Sequence, residues 1–122
     1  MIRLEHINLV VKDMDQALAF YGTLFPEWQV KREGLGDWYG VQRRWLHFGD
    51  DYTYIAFNSP LDADFDAGNN RDLTTMNLGL MHFAFEVADI APLKERMLEA
   101  GYEIASAGNH TDYRKNVYFI DP

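Results

Sequence analysis

The chain has 122 residues, 48% hydrophobic and 25% charged, the balance of a single globular domain. No apolar run approaches a membrane span, and the start Met1-Ile2-Arg3-Leu4-Glu5-His6 lacks a basic-then-apolar leader, so a cytoplasmic location is expected. The absence of cysteine removes disulfides, thiolate metal sites and cysteine nucleophiles, and a net charge of −8, from 11 basic and 19 acidic residues, argues against nucleic acid and anionic membrane as partners.

Residues 2–11 alternate apolar and polar side chains as a strand does. Asp13 follows as a helix N-cap, with Gln16 three residues on in a capping-box-like pattern. Met14, Ala17, Leu18, Tyr21 and Phe25 then recur at helical spacing. Three strands are predicted next, over 28–33, 39–48 and 52–57, with Gly49-Asp50-Asp51 as the turn between the last two. Gly34-Leu35-Gly36 reads as a loose segment, and Trp38 and Tyr39 after it suit a pocket wall or the core equally. Residues 59–79 are polar, hold Pro60, Gly68, Asn69 and Asn70, and read as a linker. A strand over 80–87 follows. Asp89 then caps a second helix with Pro92 in its first turn, Ile90, Leu93 and Met97 as its apolar stripe, and Gly101 at the left-handed position after its end. Strands over 102–105 and 116–120 complete the chain.

The two halves repeat. Leu4-Glu5-His6-Ile7-Asn8-Leu9-Val10-Val11-Lys12-Asp13 has an echo 76 positions on, in Leu80-Met81-His82-Phe83-Ala84-Phe85-Glu86-Val87-Ala88-Asp89. The expected architecture is α+β: one domain over 1–122, made of a β-α-β-β-β module (1–58), the linker (59–79) and a second module (80–122), forming a curved mixed sheet around a cavity. The second module stops at Asp121-Pro122, where its fourth strand should begin. Either something else replaces that strand or the chain is truncated, and an unpaired edge invites pairing with another chain.

Strand parity locates the candidate site. Ile7, Leu9 and Val11 share one face, as do Phe83, Phe85 and Val87, and these apolar faces belong under the helices. The opposite face then carries His6 and Asn8 from one module and His82, Ala84 and Glu86 from the other. Modules related by a pseudo-twofold axis would bring the two imidazoles to one cavity. Neutral imidazole is a common metal ligand, and two histidines plus a carboxylate with open positions suit Fe, Mn, Ni or Zn. Such an ion acts as a Lewis acid toward a substrate with adjacent oxygens. The plainer alternative is a pair of polar strand residues inherited by duplication that bind nothing. Tyr54 or Ala56 takes the inward parity in the fourth strand, and His110, Tyr113 and Arg114 sit before the last strand, either at the cavity mouth facing an acidic substrate or as ordinary surface. His47, between Leu46 and Phe48, reads as structural. No Ser-His-Asp spacing and no phosphate-cradling glycine loop occur.

The strings LEHINLVVKDMDQALAFYGTLF, MHFAFEVADI and RKNVYFIDP, in this order, resemble the vicinal oxygen chelate superfamily of glyoxalases, extradiol dioxygenases and bleomycin- and fosfomycin-resistance proteins. The resemblance implies paired modules around a cavity, often in a homodimer, with His6 and His82 at the usual histidine ligand positions. Two departures stand out. The first module's fourth strand, Tyr52-Thr53-Tyr54-Ile55-Ala56-Phe57, lacks the carboxylate of the glyoxalase pattern, and the chain stops before the final strand that supplies a glutamate. Glu86 shares a face with His82 but lies four residues along, roughly 13 Å away, too far for the same ion. Two functions follow: a divalent-metal-dependent lyase, isomerase or dioxygenase acting on a small oxygenated molecule, or a metal-free protein that binds a small, partly aromatic ligand.

Overall fold

The computed structural model describes residues 1–66, 72–108 and 110–122. Part of the predicted linker lies outside those residues. The elements are β1 (His6–Val10), α1 (Met14–Leu24), β2 (Gln29–Trp38), β3 (Val41–Gly49), β4 (Tyr54–Pro60) and α2 (Ile90–Glu99). The strands form one mixed sheet in the order β1-β4-β3-β2, with β1 parallel to β4 and the other pairs antiparallel. The α+β class and the mixed sheet agree with the sequence reading.

Local chemistry explains the boundaries. Asp13 accepts a hydrogen bond from the Gln16 amide at 3.0 Å, and Asp89 accepts one from the Ala91 amide at 3.0 Å, so both predicted N-caps operate. Gly101 takes a φ of 90° after α2. Its amide donates to Leu98 O and the Tyr102 amide donates to Met97 O, the paired bonds of a Schellman motif. The turn from β2 to β3 is two residues long, Tyr39 and Gly40, both at positive φ. That backbone matches the right-handed twist of a hairpin. The predicted loose segment Gly34-Leu35-Gly36 is instead paired strand within β2. At the next turn, Asp50 accepts from the amides of Tyr52 and Thr53, and these bonds hold its carboxyl below the usual range.

One face of the sheet is covered. Leu46, Phe48, Ile55 and Phe57 lie under Met14, Ala17, Phe20 and Tyr21 of α1 and Leu93 and Met97 of α2. Phe83 and Phe85 pack at the edge of this same core, as their parity required. Phe85 meets the rings of Phe25 and Trp28 at 4.9 and 5.5 Å. Arg96 of α2 adds a polar tie: its Nε and Nη2 donate to the carbonyls of Thr23 and Leu24 at 3.0 and 3.1 Å. These belong to the last turn of α1, where carbonyls lack helical partners and α1 has no basic residue of its own. At the far end of the chain, the Tyr21 hydroxyl donates to Asp121.

The second half departs from the expected β-α-β-β-β module. The predicted strand over 80–87 carries no ladder, and the predicted strands 102–105 and 116–120 reduce to a single antiparallel bridge, Ser106 to Tyr118. The reason lies in the topology. In the first half β1 pairs with β4 and with no other strand. By the repeat, residues 82–87 need the equivalent of β4, and none of the described residues forms that strand. Alternation alone makes an extended segment, while a strand also needs a neighbour.

Two outcomes test this packing. Met97→Ala removes a side chain with no exposed surface from the shared core and should cost about 2–5 kcal/mol in chemical denaturation, as a single transition for the whole chain. Burial, then the hydrogen bond and the negative charge of Asp121, push the Tyr21 hydroxyl far above its usual value. The folded chain therefore keeps this proton while the unfolded chain releases it above about pH 10. Stability from Tyr21 is intact below that pH and falls as pH rises past it. Tyr21→Phe should flatten the alkaline limb of a stability-against-pH curve.

Candidate functional site on the open face of the sheet

The face turned away from the helices is chemically different. Register places His6 beside Tyr54, Asn8 beside Ala56, His47 beside Ala56 and Arg32, and Trp45 beside Asn58 and Gly34. These residues alternate with the buried apolar ones, so the period of two sends every second side chain here.

The rings form a row. His6 stacks on Tyr54 with centroids 4.7 Å apart and planes 10° from parallel. Tyr54 stacks in turn on His47 at 4.5 Å, and His47 tilts against Trp45 at 5.4 Å. The His6 Nδ1 lies 3.0 Å from Glu5 Oε2. A carboxylate only accepts, so Nδ1 carries the proton there and Nε2 keeps its lone pair in the neutral ring. A carboxylate behind an imidazole is the arrangement that orients histidine ligands in metalloproteins. Partial burial, then the Arg32 guanidinium, then His6 hold the His47 imidazole below its ordinary value. Asn8 is fixed by Asn58, whose Nδ2 donates to Asn8 Oδ1 at 2.9 Å. Asn58 itself is buried.

The row ends at an arginine. Arg43 lies over Trp38 at 5.4 Å and over Trp45 at 5.9 Å, measured to the ring centroids. On β2 the residues opposite Arg43 and Trp45 are Gly36 and Gly34. A Cβ on Gly34 would stand 3.0 Å from the Trp45 indole, so glycine there lets the ring lie across β2.

The other predicted site residues stand elsewhere. His82 meets the Tyr118 ring edge-on at 5.4 Å. No ring contact or hydrogen bond joins it to His6 among the described residues. Nor does any group of three or more His, Asp or Glu side chains converge as a metal would need. His6 has a carboxylate behind its ring and His82 does not, and the described residues bring the two imidazoles into no common donor group. His110 lines a hollow of about 420 Å³ at the start of α2 with Ile90, Ala91, Lys94 and Lys115. Tyr113 and Arg114 are exposed in the adjoining 111–114 turn, closed by the Thr111 amide donating to Arg114 O at 2.8 Å. Sequence reasoning passed over Arg43 and Trp45, left Trp38 open between pocket wall and core, and took His47 as structural. The signal was available: Arg43, Trp45 and His47 alternate with Arg44, Leu46 and Phe48, which point to the helix side.

Comparison with known proteins agrees with this architecture. Residues 5–119 match the model of the glyoxalase/bleomycin resistance protein/dioxygenase superfamily. The chain belongs to that superfamily. Its fold is similar to the crystal structure of SMU.1112c, at a TM-score of 0.75 and 22% identity over 100% of this chain and 92% of the other. It is also similar to the fosfomycin resistance protein FosX of Listeria monocytogenes, solved with Mn(II) and sulfate, at a TM-score of 0.62 and 23% identity over 99% and 85% of the two chains. A glyoxalase family protein from Bacillus cereus gives a TM-score of 0.64 at 16% identity over 92% and 81%. No curated protein matches the sequence significantly. No helix among the described residues is long and apolar enough to cross a membrane.

Because Tyr54 covers one side of His47, Tyr54→Ala should restore water to that ring and raise its titration midpoint toward the ordinary histidine value. Proton NMR of the four histidines across pH 4–8 reads this directly. An unmoved His47 midpoint would refute the burial account.

Proposed function

We propose that this chain is a divalent-metal-dependent enzyme of its superfamily, a lyase, isomerase or dioxygenase acting on a small oxygenated molecule, with His6 and His82 as the histidine donors. The observation that supports it is the state of His6: an imidazole clamped by Tyr54, tied through Nδ1 to Glu5, and free at Nε2. Such a ring is oriented before any ion arrives, which lowers the cost of binding one. FosX, solved with Mn(II), lends the reading a relative that takes a divalent ion. When bound, such an ion would polarise a substrate oxygen.

The remaining roles belong to the chain's own side chains. Asn8, held by Asn58, presents a fixed amide beside His6 on the open face. Tyr54 keeps the His6 ring from turning and stands at the edge of the same surface. His110, Tyr113 and Arg114 serve in this reading as contacts for an acidic group. Two modules facing one another, within a homodimer, would bring the second imidazole to the first.

A second reading is a metal-free protein that binds a small, partly aromatic molecule. Tyr54 favours it, because an aromatic side chain stands where the glyoxalase pattern has a carboxylate. Metal analysis of the purified chain separates the two. The first reading expects about one ion per chain, lost in both His6→Ala and His82→Ala. A metal-free chain that binds an aromatic ligand tightly would replace it with the second.

A further inference from the structure

On the open face, Arg43 stands out among the described residues as a side chain whose chemistry is unfinished. Its Nε and Nη1 are shielded from water and meet no acceptor. No ion pair or hydrogen bond is made by its guanidinium among the described residues; its neighbours are the indoles of Trp38 and Trp45. Buried N–H donors without acceptors are costly, and Nη2, which is not among the shielded atoms, leaves the guanidinium an edge that a ligand can approach. The two indoles hold the charge flat through cation–π contact but accept no strong hydrogen bond. A guanidinium fixed in this way is shaped for a planar, two-oxygen anion.

The surroundings agree in sign and in shape. The chain carries a net charge of −8, yet the paired strand positions on this face include Arg32 and Arg43 and no aspartate or glutamate; Glu5, just before β1, pairs with His6 at the other end of the row. Gly34 and Gly36 carry no side chains, which gives the Trp45 ring its place across Gly34 and leaves open space at Gly36, opposite Arg43. From Arg43 the row of rings runs through Trp45 and His47 to Tyr54. Stacking of His47 on Tyr54 engages the faces of those rings rather than their edges. Ring edges carry partial positive charge and favour the face of another aromatic ring.

We infer that Arg43, clamped between Trp38 and Trp45, is the anion receptor of this face, and that the ligand is a small carboxylic acid with an aromatic body lying toward His47 and Tyr54. This rests on the reading of the open face as the small-molecule site and is independent of any metal.

The test uses benzoate as probe against the full chain in EDTA, with its neutral isostere benzamide as comparison, followed by tryptophan fluorescence and calorimetry. Benzoate should bind saturably below about 10 mM, and benzamide about tenfold more weakly or worse. Arg43→Gln should lose about tenfold or more of the benzoate affinity, and Arg43→Lys should keep part of it. Arg43→Gln should also keep or raise the melting temperature, since it removes an uncompensated charge, whereas a merely structural arginine would lower it. Equal binding of benzoate and benzamide, unchanged affinity in Arg43→Gln, or no saturation by wild type would overturn the assignment. Metal content measured on the same samples keeps the two ideas apart. A metal-free wild type that binds benzoate through Arg43 defeats only the metal reading, and a metal-loaded chain indifferent to benzoate defeats only this one.

Discussion

The two faces of the four-stranded sheet have opposite chemistry, and the helices cover only one of them. This follows from the strand period of two, which divides every strand into two sets of side chains. On β3 the split is complete: Leu46 and Phe48 enter the core while Arg43, Trp45 and His47 leave it. A one-residue slip between β3 and β4 would drive a guanidinium and an imidazole under α1. The buried set therefore fixes the register, and the register fixes which rings stack on the open face. The His6–Tyr54–His47 row is a product of core packing as much as of any attraction between the rings.

The helix side also explains how the second half stays in place. Among the described residues, 82–87 have no strand partner, so ladder pairing does not hold them. Their apolar side chains do, through Phe85 against Phe25 and Trp28 and Phe83 at the rim of the core. Met97 and Leu93 anchor α2 beside α1, and Arg96 satisfies two carbonyls that α1 leaves open. Side-chain burial is nondirectional and tolerates a missing neighbour, whereas a β ladder does not.

Legibility in the sequence followed the same division. Wherever a residue's neighbours are close along the chain, its role could be read: Asp13 and Asp89 as caps, Gly101 as the left-handed end of α2, Ile7 and Leu9 as core-facing. The repeat predicted a shared parity for His6 and His82. What escaped depends on which strands lie side by side. Gly34-Leu35-Gly36 looks like a loop until Trp45 is known to cross it. Arg43 looks like one more surface cation until Trp38 and Trp45 close on it. The pairing of 82–87 was expected from the repeat, but a repeat predicts a pattern and cannot supply the partner strand.

Charge distribution ties the site to the fold. An acidic chain repels anions at long range, though salt screens this within about 10 Å. On the paired strands, Glu33 and Asp37 of β2 alternate away from the open face. Glu33 and Asp15 pair with Arg44 on the helix side, and Asp51 pairs with Lys31. Adjacent arginines thus part company: Arg44 finds two carboxylates, while Arg43, one residue away on the opposite face, finds none. The same alternation that builds the core sorts the strand charges, and it leaves Arg43 on the open face with donors that no described residue satisfies.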